Sequence, residues 1–283
     1  MAQDSRPAED VRCRARTLRR VVTGVVAAAW DALVPQTCAG CGAWIPATEG
    51  VLCEGCRRRV VRSIRWTYCP RCGRALASTA IHEEGCARCL HEKFWNIAGL
   101  VRLGLYEPPL ERLVTGLKYG GDERGVALLA ELLAAAIVKR GWRAELDYVI
   151  PVPTTLLRRW QRRCDHAAVL AAALAGRLDR PMLRAVRRVR HSQSQTRVPS
   201  QAGRFDNVRG CFAVRPGMEK RLAGKCVCIV DNVLVSGATM HEMAKAVRRA
   251  GARRIYAATV CRAALPGDEQ AGWQVEEGGG EGG

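Results

Sequence analysis

Aromatic residues make up only 5% of this 283-residue chain, with 3 Phe and 5 Tyr. An aromatic-lined hood of the kind that grips a nucleobase is therefore not legible. Lysine is also scarce, occurring only at Lys93, Lys118, Lys139, Lys220, Lys225 and Lys245. The formal charge is nevertheless +18, from 45 Lys+Arg against 27 Asp+Glu, so arginine carries most of it. Such a balance suggests a polyanionic partner. Arginine in place of lysine, beside abundant Ala and Gly, is also what a GC-rich genome produces, so charge alone supports nucleic acid weakly. Long apolar runs are missing. Val21 to Trp30 is too short to span a membrane and Asp31 interrupts it. Arginines up to Arg20 give that stretch the look of an export signal, but no small-residue cleavage site follows. It reads as an amphipathic helix within residues 1–36. Gly224-Lys225-Cys226 lacks the upstream glycine and the Ser/Thr of a nucleoside-triphosphate loop. No Ser-His-Asp grouping is readable.

Cysteine is not scarce: there are 14. Eight fall into Cys-x-x-Cys pairs, Cys38/Cys41, Cys53/Cys56, Cys69/Cys72 and Cys86/Cys89. Two thiolates on one tight turn grip a tetrahedral Zn²⁺ from one side, and a second pair closes the shell. Two structural Cys₄ zinc sites are expected over residues 37–95, with no open coordination position for catalysis. Both a sequential and a cross-braced pairing are open; we favour sequential ribbons. Gly40, Gly42, Gly55 and Gly73 sit where knuckle turns often need positive φ. His82 and His91 are surplus to the ligand count. Cys226, Cys228 and Cys261 lie in apolar patterns and read as small core residues. Reduced thiols in this number imply a cytoplasmic protein.

Residues 96–265 read as an α/β domain. Strand patterns cover Ile97 to Tyr106, Leu146 to Val152, Val227 to Val230 and Arg253 to Cys261. Helical spacing covers Pro108 to Tyr119, Gly125 to Arg140 with Gly141 as a stop, His166 to Leu178, and His241 to Ala250. Alternating strands and helices predict a parallel sheet with ligands at its carboxyl edge. Residues 266–283, rich in Gly and Glu, read as a disordered tail.

Val227 to Met240, VCIVDNVLVSGATM, carries most of the functional information. A buried strand leads to Asp231 and Asn232. The loop Ser236-Gly237-Ala238-Thr239 then enters a helix. Unpaired N–H groups at a helix N-terminus, aided by the helix dipole, form a phosphate cup.

The segment resembles the phosphoribosyl-pyrophosphate signature of the type I phosphoribosyltransferases, a strand ending in paired acids followed by a hydroxyl- and glycine-containing loop. The resemblance assigns Asp231 and Asn232 to the ribose hydroxyls and Ser236, Gly237, Ala238 and Thr239 to the 5′-phosphate. Asn232 stands where the pattern has a second acid, and Val235 where it has a hydroxyl. Over residues 30 to 263 the chain is similar to the ComF family, with the GntX-like layout of a double zinc ribbon ahead of the phosphoribosyltransferase-like domain. Carrying that likeness are the Cys-x-x-Cys pairs, Gly116-Leu117-Lys118-Tyr119-Gly120-Gly121, Ile150-Pro151-Val152-Pro153, and Ser192 to Thr196. Asn207-Val208-Arg209-Gly210-Cys211-Phe212 adds to it. Cys164-Asp165-His166 departs from the family's Gly-Phe-Asn-Gln run.

The resemblance implies a Mg²⁺-chelated phosphoribosyl pyrophosphate, or a similar phosphorylated ribose, as ligand. Arg158, Arg159, Arg162, Arg163 and Lys118 are the candidates for its pyrophosphate. It also implies a role in DNA uptake or use, with single-stranded DNA or a DNA-processing protein as partner. Three readings follow: a phosphoribosyltransferase with an unidentified acceptor, a ligand sensor without turnover, or a single-stranded-DNA handling factor of natural transformation. His166, His191 and His241 are expected to be polar surface groups.

Overall fold

The computed structural model describes residues 36–76, 85–87, 89, 96–119, 123–154, 165–190 and 201–264. The expected N-terminal helix, the basic connection carrying Arg158 to Arg163, residues 192–196 and the tail lie outside them, as do His82, His91 and His191.

Strands β1 (Gln36–Thr37) and β2 (Trp44–Ile45) form a short antiparallel pair ahead of helix α1 (Glu54–Arg65). Strand β3 (Gly99–Leu105) is followed by helices α2 (Leu110–Tyr119) and α3 (Glu123–Lys139), then by β4 (Tyr148–Pro151) and α4 (His166–Leu178). The chain continues through β5 (Val186–Arg188), α5 (Gln201–Val208), β6 (Phe212–Val214) and the single turn α6 (Glu219–Leu222). Strand β7 (Cys226–Leu234), helix α7 (Ala238–Arg249) and strand β8 (Arg254–Arg262) complete it.

The expected parallel sheet is present, in the order β3-β8-β7-β4. Strand β7 is central and buried on both faces, as Cys226-Val227-Cys228-Ile229-Val230 requires. One face packs Val101, Leu103, Val149, Val230 and Ala258 against Leu129, Leu133 and Ile137 of α3 and Leu170 and Leu174 of α4. The opposite face packs Leu100, Ile150, Val227 and Ile229 against Met240, Met243 and Val247 of α7. Cys226, Cys228 and Cys261 are fully buried core residues, as expected. The α4 boundaries follow local chemistry. The Asp165 side chain accepts from the Ala168 N–H at the N-cap, and Asp179 closes the helix in the left-handed conformation.

The cysteine-rich segment straddles the edge strand β3. Cys38, Cys56 and Val60 join the core on one face, whereas Cys69, Cys72, Cys86 and Cys89 join the core on the other. An uncovered strand edge is a template for unwanted pairing. Here the Leu100 N–H donates to the Pro70 carbonyl, 2.6 Å. Arg102, only 1% exposed, sends Nε to the Gly73 carbonyl, 2.7 Å, and lies 4.6 Å over the Tyr68 ring. Arg262 donates to the Cys72 carbonyl. Gly104 permits the approach of α1: a Cβ there would lie 1.9 Å from Ser63 Oγ.

Among the described residues, no helix is long and apolar enough to cross a membrane.

Candidate functional site

The eight cysteines gather in sequence order, Cys38, Cys41, Cys53 and Cys56 in one cluster and Cys69, Cys72, Cys86 and Cys89 in the other, with all Sγ atoms of a cluster within 4.8 Å of one another. The favoured sequential ribbons are therefore what the fold builds. A ZnS₄ tetrahedron with Zn–S of about 2.3 Å has S···S edges of about 3.8 Å. The separations Cys41–Cys53, Cys69–Cys89, Cys72–Cys86 and Cys86–Cys89 are each 3.8 Å, so the donors fit zinc in both number and spacing.

Backbone amides support the sulfurs. Cys53 N–H and Gly40 N–H donate to Cys38 Sγ at 3.2 and 3.4 Å, and Cys86 N–H donates to Cys69 Sγ at 3.3 Å. Burial opposes ionisation of Cys38, but these amides and that of Cys41 outweigh it and hold the thiol down at about 6. The neighbouring thiols Cys72 and Cys89 pull Cys69 down, whereas Cys69 pushes Cys72 up to about 12. Crowded thiolates repel, and a bound dication relieves that repulsion.

Of the knuckle glycines, Gly42 and Gly73 have positive φ, 79° and 71°. Gly40 and Gly55 do not. Gly40 serves close approach instead, since a Cβ there would lie 2.7 Å from Pro109 Cβ and 2.9 Å from Cys56 Sγ. Gly55 sits in the first turn of α1, with open space around a Cβ.

The second site lies at the carboxyl edge of the sheet. Strand β7 runs four residues past the expected end at Val230, to Leu234. Asp231 pairs with Thr259 of β8, and on the other side Val152 N–H donates to the Val230 carbonyl, 2.9 Å. The Asp231 carboxylate accepts from the Asn232 N–H at 2.8 Å. Asn232 is buried, 7% exposed, yet its Oδ1 accepts no hydrogen bond among the described residues. Beyond the end of the adjacent strand β4, Thr154 Oγ1 is likewise buried without a hydrogen-bond partner among the described residues. Orphaned buried oxygens are costly in a folded protein and mark places where a ligand or water completes the bonding. Thr154 was not singled out from sequence; its only signal is its position directly after the Ile150-Pro151-Val152-Pro153 run.

Gly237 caps α7 in the left-handed conformation, φ 85°, where a Cβ would be strained. The Ala238 N–H donates to Ser236 Oγ at 3.3 Å, and His241 N–H closes the first helical turn onto the Gly237 carbonyl, 2.8 Å. The amides of Thr239 and Met240 precede that first intrahelical bond and so face out of the helix N-terminus. Ser236 is 4% exposed, so part of its expected role goes to shaping the loop. Thr239 remains half-exposed. The helix begins at Ala238, earlier than its apolar spacing indicated, because Ala238, Thr239 and Met240 form its first turn behind the Gly237 cap.

Two histidine expectations need correction. His166 is 3% exposed, drawn inside because α4 buries its first turn against the sheet domain. His241 is half-buried with its ring edge-on to Phe205 at 5.7 Å, and burial holds it below the ordinary histidine range. Burial thus favours the neutral form of its imidazole. Glu242, one residue on, accepts from the Gly210 N–H at 2.9 Å and ties α7 to the segment after α5. Arg190 Nη2 donates to the carbonyls of Asn207 and Arg209 at 3.1 and 2.8 Å. These contacts give Asn207 to Cys211 a structural task. Lys118 lies in α2; its side chain, like Arg158, Arg159, Arg162 and Arg163, is outside the described residues.

A glycine-capped loop at the carboxyl edge of a parallel sheet, joined to two Cys₄ clusters, defines a zinc-ribbon protein of the phosphoribosyl transferase fold class. Comparison with known families agrees: the double zinc ribbon domain matches residues 29–90 and the phosphoribosyl transferase domain matches residues 165–276. Competence protein F of Haemophilus influenzae is 30% identical over 80% of this chain and 96% of its own length. The DNA utilization protein YhgH of Salmonella typhimurium is 29% identical over 81% of this chain and 98% of its own. A solved glutamine phosphoribosylpyrophosphate amidotransferase from B. subtilis aligns at 21% identity over 52% of this chain and 30% of that one, with a TM-score of 0.34. The chain belongs to the ComF family, that of Competence protein F.

Proposed function

We propose that this chain binds phosphoribosyl pyrophosphate, carried in as its Mg²⁺ complex, at the carboxyl edge of the sheet. The observation that carries the reading is the buried, unpartnered Asn232 Oδ1 beside Asp231, just upstream of a glycine-capped helix N-terminus. In this reading Asp231 and Asn232 accept hydrogen bonds from the ribose hydroxyls. The 5′-phosphate sits against the loop Ser236, Gly237, Ala238 and Thr239, held by amides and the helix dipole. Arg158, Arg159, Arg162, Arg163 and Lys118 meet the pyrophosphate. Mg²⁺ is a component of the ligand complex, since one carboxylate, Asp231, is not a dedicated cage.

Asn232 shifts the chemistry. Departure of pyrophosphate from C1 develops positive charge, and a neutral amide stabilises that centre less than a second carboxylate. Binding is therefore the activity the site is built for, and slow transfer to an acceptor is the enzymatic extension of it. The names of the relatives support placing the protein in DNA uptake or utilisation. Its abundant reduced cysteines support a cytoplasmic location.

The Asn232→Leu variant tests the reading because it separates stability from binding. It removes a buried unsatisfied oxygen at similar volume, so unfolding is expected to cost the same or about 1 kcal/mol more. Affinity for Mg²⁺–phosphoribosyl pyrophosphate is expected to fall about tenfold, the loss of one to two hydrogen bonds. Unchanged affinity with unchanged stability would remove Asn232 from the site.

A further inference from the structure

Where the ribbons meet the sheet domain, the chain leaving α1 and the carboxyl end of α3 enclose a pocket of about 620 Å³. That is the volume range of small-molecule sites. Trp66 and Tyr68, both half-buried, form aromatic walls, and α3 supplies an apolar floor. Around them stand four cations, Arg65, Arg102, Lys139 and Arg140, and no carboxylate among the described residues lines the pocket. Arg102 and Arg140 lie 4.6 and 5.9 Å from the Tyr68 ring centroid. Arg65 and Lys139 are exposed and form no ion pair within the described residues.

An aromatic wall takes a planar ring by stacking, and exposed cations such as Arg65 and Lys139, with no ion pair among the described residues, take an anion. A groove along α1, carrying Arg57, Arg58 and Arg62, adjoins the pocket through the shared Arg65 and Trp66. Glu54 pairs with Arg57 and Arg58 at 3.3 and 3.8 Å, whereas Arg62 pairs with no carboxylate among the described residues. The groove thus extends the positive field outward from the pocket mouth.

We propose that this junction pocket is a nucleotide site: a base stacks on Trp66 and Tyr68, and its phosphate is held by Arg65, Lys139 and Arg140. It is separate from the phosphate loop and does not depend on the reading of that loop. The same unit can arrive as a free nucleotide or as one residue of a single strand. In the second case Arg62 and its neighbours on α1 track the next phosphates.

The test is titration of the zinc-loaded full chain with adenosine 5′-monophosphate and, separately, with a short deoxyadenosine strand. The variants are Tyr68→Leu, Arg140→Gln, Arg62→Gln and Gly237→Val, each checked for retained zinc and secondary structure. Tyr68→Leu and Arg140→Gln are each expected to weaken binding of whichever probe binds by about tenfold, while Gly237→Val leaves it unchanged. Arg140→Gln, at an exposed turn position just after α3, keeps the test valid if Tyr68→Leu fails to fold. A free nucleotide is identified if the monophosphate binds and Arg62→Gln has no effect. A strand is identified if only the oligonucleotide binds, with weakening by Arg62→Gln and a steep salt dependence. Binding of neither probe, or binding that follows Gly237 and ignores Tyr68 and Arg140, would overturn the proposal.

Discussion

The ribbons and the sheet domain bury their interiors with different materials. In the sheet domain Leu129, Leu133, Leu170, Leu174 and Ile229 are wholly buried and fill the two faces, so burial of apolar surface supplies the driving force. In the ribbons the inward positions are largely the ligand thiols themselves, among them Cys38, Cys56, Cys69 and Cys72. Those sulfurs need a cation before they become good core atoms. The difference shows what each half contributes. One half is held by its own apolar packing and carries the glycine-capped loop at its sheet edge. The other is metal-dependent and spends its metal on covering the exposed edge of β3.

Zinc removal is expected to break that comparison with the largest effect. Structural zinc supplies on the order of 10 kcal/mol to a small domain. A strong chelator should therefore unfold residues 36–76, and the Leu100 amide should lose its protection once Pro70 no longer accepts from it. Hydrogen exchange read by mass spectrometry checks this, with α3 and α4 expected to stay protected. Equal loss everywhere would show one cooperative unit in place of two.

A smaller effect is expected at the contact between the halves. Gly104→Val places a side chain where Ser63 Oγ and Leu110 Cδ1 already sit, 1.9 and 2.6 Å from a Cβ. Overpacking of this kind costs about 1–3 kcal/mol. Chemical denaturation should show the loss, with zinc content retained.

The smallest effect is expected inside the sheet domain. Asp147 accepts from the Cys226 N–H at 2.8 Å and from Lys225 Nζ at 3.0 Å. Although burial acts to raise it, these bonds hold its carboxyl below the ordinary aspartate range. A depressed folded-state value adds stability above the unfolded value, and that stability is lost as pH falls through the folded one. The pair is partly exposed, so Asp147→Asn should cost about 1 kcal/mol or less at neutral pH. The gap between variant and parent should close in acid. A gap that persists there would assign the effect to packing.

Legibility in the sequence tracked the range of the interactions. Cys-x-x-Cys spacing is local chemistry, and it foretold the ligands of both clusters; it left the pairing open between sequential and cross-braced, and the fold builds the favoured sequential one. The apolar run at Val227 and the alanine-rich helix from His166 to Leu178 are local patterns too, and both elements stand where they were expected. Strands β5 and β6 were not legible, because three residues such as Val186-Arg187-Arg188 are too few to display a period. The burial of Arg102 and Arg262 was hidden for a different reason. Nothing in an isolated arginine tells that a carbonyl from a zinc knuckle will meet it across the sheet edge. Likewise, Asn232 announced itself only as a departure from an acid pair, whereas the orphaned Oδ1 is a property of the folded neighbourhood.

The central claim is that the edge at Asp231 to Thr239 is a working phosphoribosyl site. Calorimetric titration of the zinc-loaded protein with Mg²⁺–phosphoribosyl pyrophosphate, run beside Gly237→Val, tests it most directly. Micromolar binding by the parent chain is expected, with loss of detectable binding in the folded variant, whose Cβ would strain the left-handed cap and close the loop to phosphate. A folded parent protein that releases no heat at several temperatures, or a variant that binds equally well, would contradict the account.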